Sequence, residues 1–121
     1  MNEEYRLIEP SSESEWDAYY RIRFEVLRKP WGQAFDSTKD ETEETSFHLL
    51  VLDTSGNAAG AGRLQFNNEY QGQIRSMAVR EDLRNSGIGK IMLERLESEA
   101  RKCALKEIIL DAREPAVGFY L

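Results

Sequence analysis

The sequence of 121 residues contains one cysteine, Cys103, one histidine, His48, and only three prolines. A single cysteine cannot form an internal disulfide bond, which agrees with a reducing compartment. No apolar run approaches the roughly 18 residues that a membrane span needs, and the acidic N-terminus lacks the basic and apolar regions of a signal peptide. We therefore expect a cytoplasmic protein that is not held in a membrane.

Basic residues are also few: the sequence has 16 Lys and Arg and 22 Asp and Glu, which gives a net charge of −6. Binding to nucleic acid or to an anionic membrane surface needs a basic footprint, so we expect neither as a partner. The 40% of hydrophobic residues and 31% of charged residues are typical of a folded globular protein. The length predicts one domain over residues 1–121.

The first third of the chain predicts a strand, a helix and a polar segment. Residues 5–9 form a short extended run that ends at Pro10, and residues 13–27 carry apolar side chains every three or four positions, which predicts an amphipathic helix. Residues 29–32, Lys-Pro-Trp-Gly, break the helical pattern. Residues 33–44 are polar and acidic, a composition that is usually found in a solvated loop or short helix.

Three apolar runs follow, at residues 47–53, 58–66 and 72–79, and short turns separate them. This pattern predicts an antiparallel meander. The first run is almost continuously apolar, so we expect a central strand that is covered on both faces. We interpret His48, in that strand, as a structural residue. The small residues from Ala59 to Gly62 predict a close approach of another element to the second strand.

The last third predicts a long helix, a strand and the beginning of another helix. Apolar residues from Ile88 to Cys103 lie on one helical stripe, which predicts that Cys103 is buried. Residues 106–112 read as a strand, which should lie parallel to the strand ending at Val79 through a right-handed crossover. Residues 113–121 predict a further helix. The expected fold class is α/β (α+β), with a mixed, mostly antiparallel twisted sheet flanked by helices.

The stretch that organises the chain is the glycine turn between the third meander strand and the long helix. A helix start has backbone N–H groups without partners and the positive end of the macrodipole, so it can hold a phosphate. Gly87 and Gly89 remove Cβ atoms that would keep an anion away from those N–H groups. The turn therefore predicts a pyrophosphate site.

Two familiar phosphate loops do not fit this turn. A Walker-type loop needs a glycine where Arg84 stands and Ser or Thr where Ile91 stands. The dinucleotide fingerprint meets Met92 in place of its third glycine, and it belongs in the first strand-to-helix unit of a domain. The remaining pattern, R-x-x-G-x-G over Arg84, Gly87 and Gly89, resembles the acetyl-CoA-binding motif of the GNAT superfamily of N-acetyltransferases.

The resemblance covers essentially the whole chain and rests on four local matches: residues 73–79, 84–89, 108–112 and 116–120. It implies the acyl-CoA N-acyltransferase fold, in a form that is short at its C-terminus because the family's last two strands are missing. It also implies transfer of an acetyl group from acetyl-CoA to a primary amine, without a metal. In such a protein the acidic residues 33–44 would have an alternative role, at the entrance for a positively charged amine.

The resemblance assigns two sets of cofactor-binding positions. The fourth strand of the family splays from the fifth, so backbone groups of Met77, Ala78 and Val79 would hold the pantetheine and thioester region. The pyrophosphate would lie on the turn and the helix start: Arg84, Asn85, Ser86, Gly87, Ile88, Gly89 and Lys90.

The resemblance also implies one catalytic side chain. Tyr120 matches the tyrosine of the family's Phe-Tyr helix. In the family, the hydroxyl of that tyrosine protonates the departing thiolate. A backbone N–H near Met77 or Ala78 would stabilise the oxyanion. No carboxylate lies in residues 73–79, so we expect ordered water to deprotonate the amine in preference to Glu25, Glu69 or Glu114.

Three hypotheses stay open on the sequence alone. The first is an N-acetyltransferase, and the second is a catalytically silent acyl-CoA-binding module with the same fold. The third, a regulatory domain that binds ATP at the glycine turn, is disfavoured because no Ser or Thr follows Lys90. An uncovered strand edge favours association, so we also predict a homodimer or a larger homo-oligomer.

Overall fold

The computed structural model describes residues 5–28, 43–83, 86–110 and 117–120. Its strands are β1 (Arg6–Ile8), β2 (Phe47–Leu52), β3 (Ala58–Phe66), β4 (Gln71–Val79), β5 (Glu107–Leu110) and β6 (Val117–Tyr120). Its α-helices are α1 (Glu13–Arg23) and α2 (Ile88–Lys102). A π-helical turn, Phe24–Arg28, continues α1, and 3₁₀ turns occupy Glu43–Thr45 and Glu81–Leu83.

The six strands form one sheet in the order β1-β2-β3-β4-β5-β6. Only β4 and β5 are parallel, and every other neighbouring pair is antiparallel. Strands β2, β3 and β4 form the predicted meander, and α2 provides the crossover that makes β5 parallel to β4. The mixed, mostly antiparallel sheet flanked by helices is the predicted fold class.

The two helices cover opposite faces of the sheet. Neighbouring residues of β2 separate the faces, because Leu49 packs in the cluster that contains Met92 of α2, and Leu50 packs in the cluster that contains Tyr19 of α1. All six residues of β2 are buried, as expected for a central strand covered on both sides.

Helix α2 approaches the sheet closely because glycines face it. A Cβ added to Gly60 would lie 2.8 Å from Met92 Sδ, a distance that real Cβ contacts essentially never show. One added to Gly62 would lie 3.2 Å from Met92 Cε, tighter than nine in ten real Cβ contacts. The small residues of β3 thus have the packing role that the sequence indicated, and the element that approaches is α2.

Three sequence predictions need correction. Residues 117–120 form a strand and not a helix, and Val117, Phe119 and Tyr120 are residue types that favour strands. Cys103 is exposed, because it is the C-cap of α2 and the helical stripe ends before it. The regular part of α1 ends at Arg23, four residues before the predicted end at Leu27, and a π-helical turn follows it. Within the described ranges, no helix is both long and apolar enough to cross a bilayer.

Candidate functional site

Helix α2 begins without a side-chain cap. Its N-cap is Gly87, with φ of 92°, and no acidic residue lies in the first turn. The helical ladder starts where Ile91 N–H donates to Gly87 O at 3.2 Å. The amides of Ile88, Gly89 and Lys90 precede that bond, so they have no partner within the helix. These amides and the helix dipole favour an anion at this point.

The space in front of this helix start is open. A Cβ added to Gly87 or to Gly89 would meet no atom within 4 Å. Gly87 also needs its positive φ, which L side chains rarely adopt. Lys90 is exposed in the first helical turn and adds a positive charge beside the amides. The geometry fits a phosphate group.

Strand β4, which leads to this helix start, contains a β-bulge. Ala61 pairs with Ala78 and Arg63 pairs with Arg75, so one residue of β3, Gly62, faces two residues of β4, positions 76 and 77. Residues three apart in a regular strand point to opposite faces of the sheet, but Ile74 and Met77 both pack on the α2 side. The bulge between them therefore shifts the alternation of side chains. Bulges occur frequently beside active sites, where they redirect backbone groups.

The outer edge of β4 is paired along only part of its length. Parallel pairing with β5 runs from Gln71 with Glu107 to Ile74 with Leu110. In the described part of the chain, the backbone of residues 77–79 of β4 has no strand partner on that side. Backbone donors and acceptors of this half-strand can therefore pair with an extended ligand, as they pair with a peptide in strand addition.

Arg80 holds the segment between β4 and the helix start. Its Nη1 donates to Asp53 Oδ2 at 3.0 Å and to Ala58 O at 3.0 Å, and its Nε donates to Asp82 Oδ1 at 2.8 Å. The hydrogen bonds to Asp82 and Asp53 raise the pKa of Arg80. Arg80 thus ties the 3₁₀ turn that precedes the glycines to the turn between β2 and β3.

A buried polar cluster lies on the opposite, α1 side of the sheet. The Glu43 carboxylate accepts from Arg23 Nη1 at 2.8 Å and Nη2 at 3.0 Å, from Arg63 Nη1, and from the Tyr20 hydroxyl at 3.0 Å. The side chains of Arg23 and Arg63 are 1% and 0% exposed, and that of Glu43 is 10% exposed. Burial would raise the pKa of Glu43, but the two guanidinium groups and the Tyr20 hydroxyl hold it below its usual value.

His48 belongs to the same cluster. Its Nε2 lies 2.6 Å from Glu43 O, and its Nδ1 lies 2.6 Å from the Tyr19 hydroxyl. A neutral ring with its proton on Nε2 donates to Glu43 O and accepts at Nδ1 from the Tyr19 hydroxyl, whose single proton is shared with a longer contact to Gly62 O at 3.2 Å. Burial lowers the pKa of His48, which favours this neutral form. The contacts agree with a structural role for His48.

The structure brings most of the predicted cofactor-binding residues to one end of the sheet. Met77, Ala78 and Val79 form the last part of β4, and Ser86 precedes α2, where it donates to Leu83 O. Ile88 is buried, whereas Lys90 is exposed. Arg84, Asn85 and the acidic residues 33–42 lie outside the described residues.

Tyr120 lies at the other end of the sheet. It pairs with Glu107, which pairs with Gln71 at the beginning of β4. Met77 is six positions along β4 from Gln71, so the backbones of Tyr120 and Met77 are roughly 20 Å apart along the strand direction. The backbone of Tyr120 therefore does not lie beside the bulge.

The sequence did not indicate the buried cluster. Glu43 was assigned to a solvated acidic run, which is incorrect, because two buried arginines require a carboxylate partner. The signal was Arg63, a charged residue inside an otherwise small and apolar strand. Among the candidate bases, Glu25 and Glu69 are exposed, and Glu114 lies outside the described residues. In the described part of the chain, His, Cys, Asp and Glu side chains form no cluster able to hold a metal ion.

The sequence matches the model of the acetyltransferase (GNAT) family over residues 13–121. It is 34% identical over 104 residues to an uncharacterised N-acetyltransferase of Bacillus subtilis, YjcF. That alignment covers 86% of this chain and 72% of the Bacillus protein.

Solved structures share the fold. A GNAT-family acetyltransferase from Staphylococcus aureus superimposes with a TM-score of 0.73 at 17% identity, covering 88% of this chain and 72% of the other. A GNAT-family acetyltransferase from Elizabethkingia anophelis, solved with acetyl-CoA bound, superimposes with a TM-score of 0.67 at 13% identity, covering 90% of this chain and 65% of the other.

Proposed function

The chain belongs to the acetyltransferase (GNAT) family, and from this membership we propose that it transfers an acetyl group from acetyl-CoA to a primary amine of a small molecule or peptide, by direct attack in a ternary complex. The observation that supports this proposal is one continuous arrangement at the end of the sheet. The unpaired edge of β4 leads, through the segment held by Arg80, to the uncapped start of α2.

Each part of this arrangement matches one part of the cofactor. The amides of Ile88, Gly89 and Lys90 bind the pyrophosphate, with support from the helix dipole and from the Lys90 charge. Arg84, Asn85, Ser86 and Gly87 complete the loop around the phosphates. Backbone groups of Met77, Ala78 and Val79 pair with the extended pantetheine arm, because that edge of β4 has no partner in the described chain.

Acetyl-CoA supplies the activated acyl group, and this chain orients it and stabilises developing charge. At the bulge, two residues of β4 face one residue of β3, so a backbone N–H there is released from regular pairing. We propose that this N–H, at Met77 or Ala78, donates to the oxyanion. The amine must lose a proton before it attacks, and we propose that ordered water accepts it.

Tyr120 is proposed as the general acid for the thiolate on the strength of the family motif. That role requires its hydroxyl to approach the thioester, whereas its backbone lies in the row of Gln71. The same observation favours a second candidate function, an acyl-CoA-binding module that is catalytically silent. The two candidates share the cofactor site and differ in turnover.

Two measurements test these candidates. Calorimetry with coenzyme A and with acetyl-CoA should give saturable binding for both, and absence of binding to either form would refute both candidates. Thiol release from acetyl-CoA with a panel of primary amines should exceed the rate without amine if the chain is an enzyme. Binding without release, in a preparation that contains the full protein, supports the silent module.

We also propose that the protein is cytoplasmic and forms a homo-oligomer. The single cysteine fits a reducing compartment. Strand β6 is the last strand at one side of the sheet among the described strands, and an unpaired edge is a template for pairing with another chain. Light scattering across a tenfold range of concentration should give a mass above 14.0 kDa, and a constant monomer mass would contradict the proposal.

A further inference from the structure

A cavity of about 690 Å³ lies at the end of the sheet opposite the helix start of α2. Phe47, the first residue of β2, and Phe66, the last residue of β3, both line it, whereas Val79 at the other end of the sheet pairs with Gly60. Strand β1 ends at Ile8, opposite Leu50, so the cavity lies beside the part of β2 that β1 does not reach. Its volume is in the range of small-molecule sites.

Aromatic side chains form much of the wall of this cavity. Trp16 and Tyr20 line it from α1, with ring centroids 5.7 Å apart and planes at 21°. Phe47 and Phe66 line it from the sheet, and Phe66 is 37% exposed. Aromatic faces carry negative charge density, so they attract a cation. Arg23 already lies over the Tyr20 ring at 5.2 Å and Arg95 over the Phe47 ring at 4.9 Å, so Trp16 and Phe66 are the rings that we assign to a ligand.

Carboxylates from three separate elements complete the wall. Glu9 follows β1, Asp17 belongs to α1 and Glu44 lies in the 3₁₀ turn before β2. None of these three forms an ion pair with a described residue, in contrast to Glu43, whose charge is met by Arg23 and Arg63. No described Lys or Arg lines the cavity. Glu99 of α2 also lines the cavity, and Arg95 pairs with it at 3.2 Å and lies over the Phe47 ring. The charge of Arg95 is thus met by Glu99, and the three remaining carboxylates make the local charge predominantly negative, in line with the net charge of −6.

We propose that this aromatic cavity binds an organic ammonium ion, a cation with an apolar body. The aromatic walls accept the apolar body and the face of the cationic group, and Glu9, Asp17 and Glu44 supply the complementary charge. Anionic ligands of the same size meet three carboxylates that no described cation pairs, so they bind more weakly. The site and the proposed acetyl-CoA site lie at opposite ends of the sheet, so each can be tested while the other is intact.

Calorimetry of the full chain with benzyltrimethylammonium chloride tests the proposal directly. A quaternary ammonium has no lone pair to acylate, so binding is measured apart from any reaction. We expect saturable binding at one site, and no saturable heat with phenylacetate, which carries the same ring and the opposite charge. Equal binding of the two probes, or no saturation with the cation, would overturn the proposal. Coenzyme A titrated into the same preparation shows separately whether the proposed function holds.

Variants locate the bound cation. Replacing two of the three exposed carboxylates, Asp17→Asn with Glu44→Gln, should weaken binding of benzyltrimethylammonium about tenfold, since each exposed charge contributes modestly. Glu94→Gln removes one exposed carboxylate of α2 outside the cavity and should leave the affinity within about twofold. Phe66→Leu keeps an apolar side chain but removes the aromatic face, and should weaken binding about two- to fivefold. A loss as large in Glu94→Gln as in the double variant would show that only the overall charge matters, and would refute the site.

The cavity lies beside Phe66, which pairs with Gly72, away from the bulge, so we expect the bound cation to be a ligand that does not react; the other case is an acetyl acceptor. Benzylamine with acetyl-CoA separates these two cases, because it has the same body as the probe and a primary amine. Thiol release that benzyltrimethylammonium inhibits competitively assigns the cavity to the acceptor. If benzylamine and benzyltrimethylammonium both bind but benzyltrimethylammonium does not inhibit thiol release, the cavity is assigned to a non-reacting ligand.

Discussion

The two helices of this protein begin in opposite ways. The N-cap of α1 is Ser12, whose hydroxyl accepts from Glu15 N–H at 3.1 Å, while Glu15 Oε1 accepts from the backbone of Ser11 and Ser12. This capping box and the acidic first turn neutralise the helix start from within. The N-cap of α2 is a glycine, with no side-chain cap and no acidic residue in the first turn. A helix that satisfies its own N-terminus has a structural role, and one that leaves it open is suited to an anionic ligand.

The helices also differ in what they pack against. Helix α2 lies on an apolar cluster that includes Leu64, Ile74 and Ile108. Helix α1 contributes Arg23, Tyr19 and Tyr20 to a buried polar cluster centred on Glu43. Hydrogen bonds and ion pairs of the polar cluster fix the position of α1 on the sheet. Apolar packing holds α2 on the sheet, and its N-terminus has no side-chain cap.

The largest expected effect comes from breaking the polar attachment of α1. Glu43→Gln removes the carboxylate between Arg23 and Arg63 and leaves two buried guanidinium groups, so the free energy of unfolding should fall by about 3 kcal/mol or more. Chemical denaturation measures this change. The adjacent Glu44→Gln, at an exposed position, is the control and should change stability by less than about 0.5 kcal/mol. Equal effects of the two substitutions would contradict the arrangement.

The second prediction makes α2 resemble α1. Gly89→Glu places a carboxylate in the first turn of α2, where it competes with phosphate for the same amides, so affinity for coenzyme A should fall by about 30- to 150-fold. Stability should not fall, because a Cβ at residue 89 meets no atom and the new charge suits the dipole. Titration calorimetry measures the affinity for coenzyme A, and thermal melts measure the stability. Gly89→Ala is the matched control, and a destabilised Gly89→Ala would show that glycine is needed for folding and not for the ligand.

The third prediction removes the cap of α1. Ser12→Ala should lower the free energy of unfolding by about 1 kcal/mol and leave the affinity for coenzyme A unchanged. Comparing denaturation midpoints with and without ligand separates these two quantities. A variant that lost affinity at constant stability would show that the two helix starts are coupled.

The smallest expected effect is a dependence of stability on pH through His48. Its pKa in the folded protein is lowered by burial, so below its usual value of 6.5 the unfolded chain binds more protons than the folded one. Stability should therefore fall as the pH decreases from 6.5 towards 5, before carboxylates with usual pKa values of 4.5 begin to titrate. Melting temperatures of the protein and of His48→Gln measure it, and the variant should show a flatter profile in this interval. Identical profiles would contradict the assignment.

Local patterns sufficed to predict the meander, the crossover and the helix start, because each depends on residues close in sequence. The apolar run of β2 and the periodicity of α2 are examples. The polar cluster was missed because most of its bonds join residues 20 or more positions apart in sequence, such as Arg23 with Glu43 and Tyr19 with Gly62. The strand at residues 117–120 was predicted as a helix, since a family motif took precedence over residue types that favour strands.

The parallel pairing of β4 and β5 also predicts the order in which the molecule forms. Strands β2, β3 and β4 follow one another through short turns, so their contacts close quickly, whereas β5 can pair with β4 only after all of α2 has folded back. The groove beside β4 is therefore completed last. Pulse-labelling hydrogen exchange during refolding should protect the amides of β3 before those of β5.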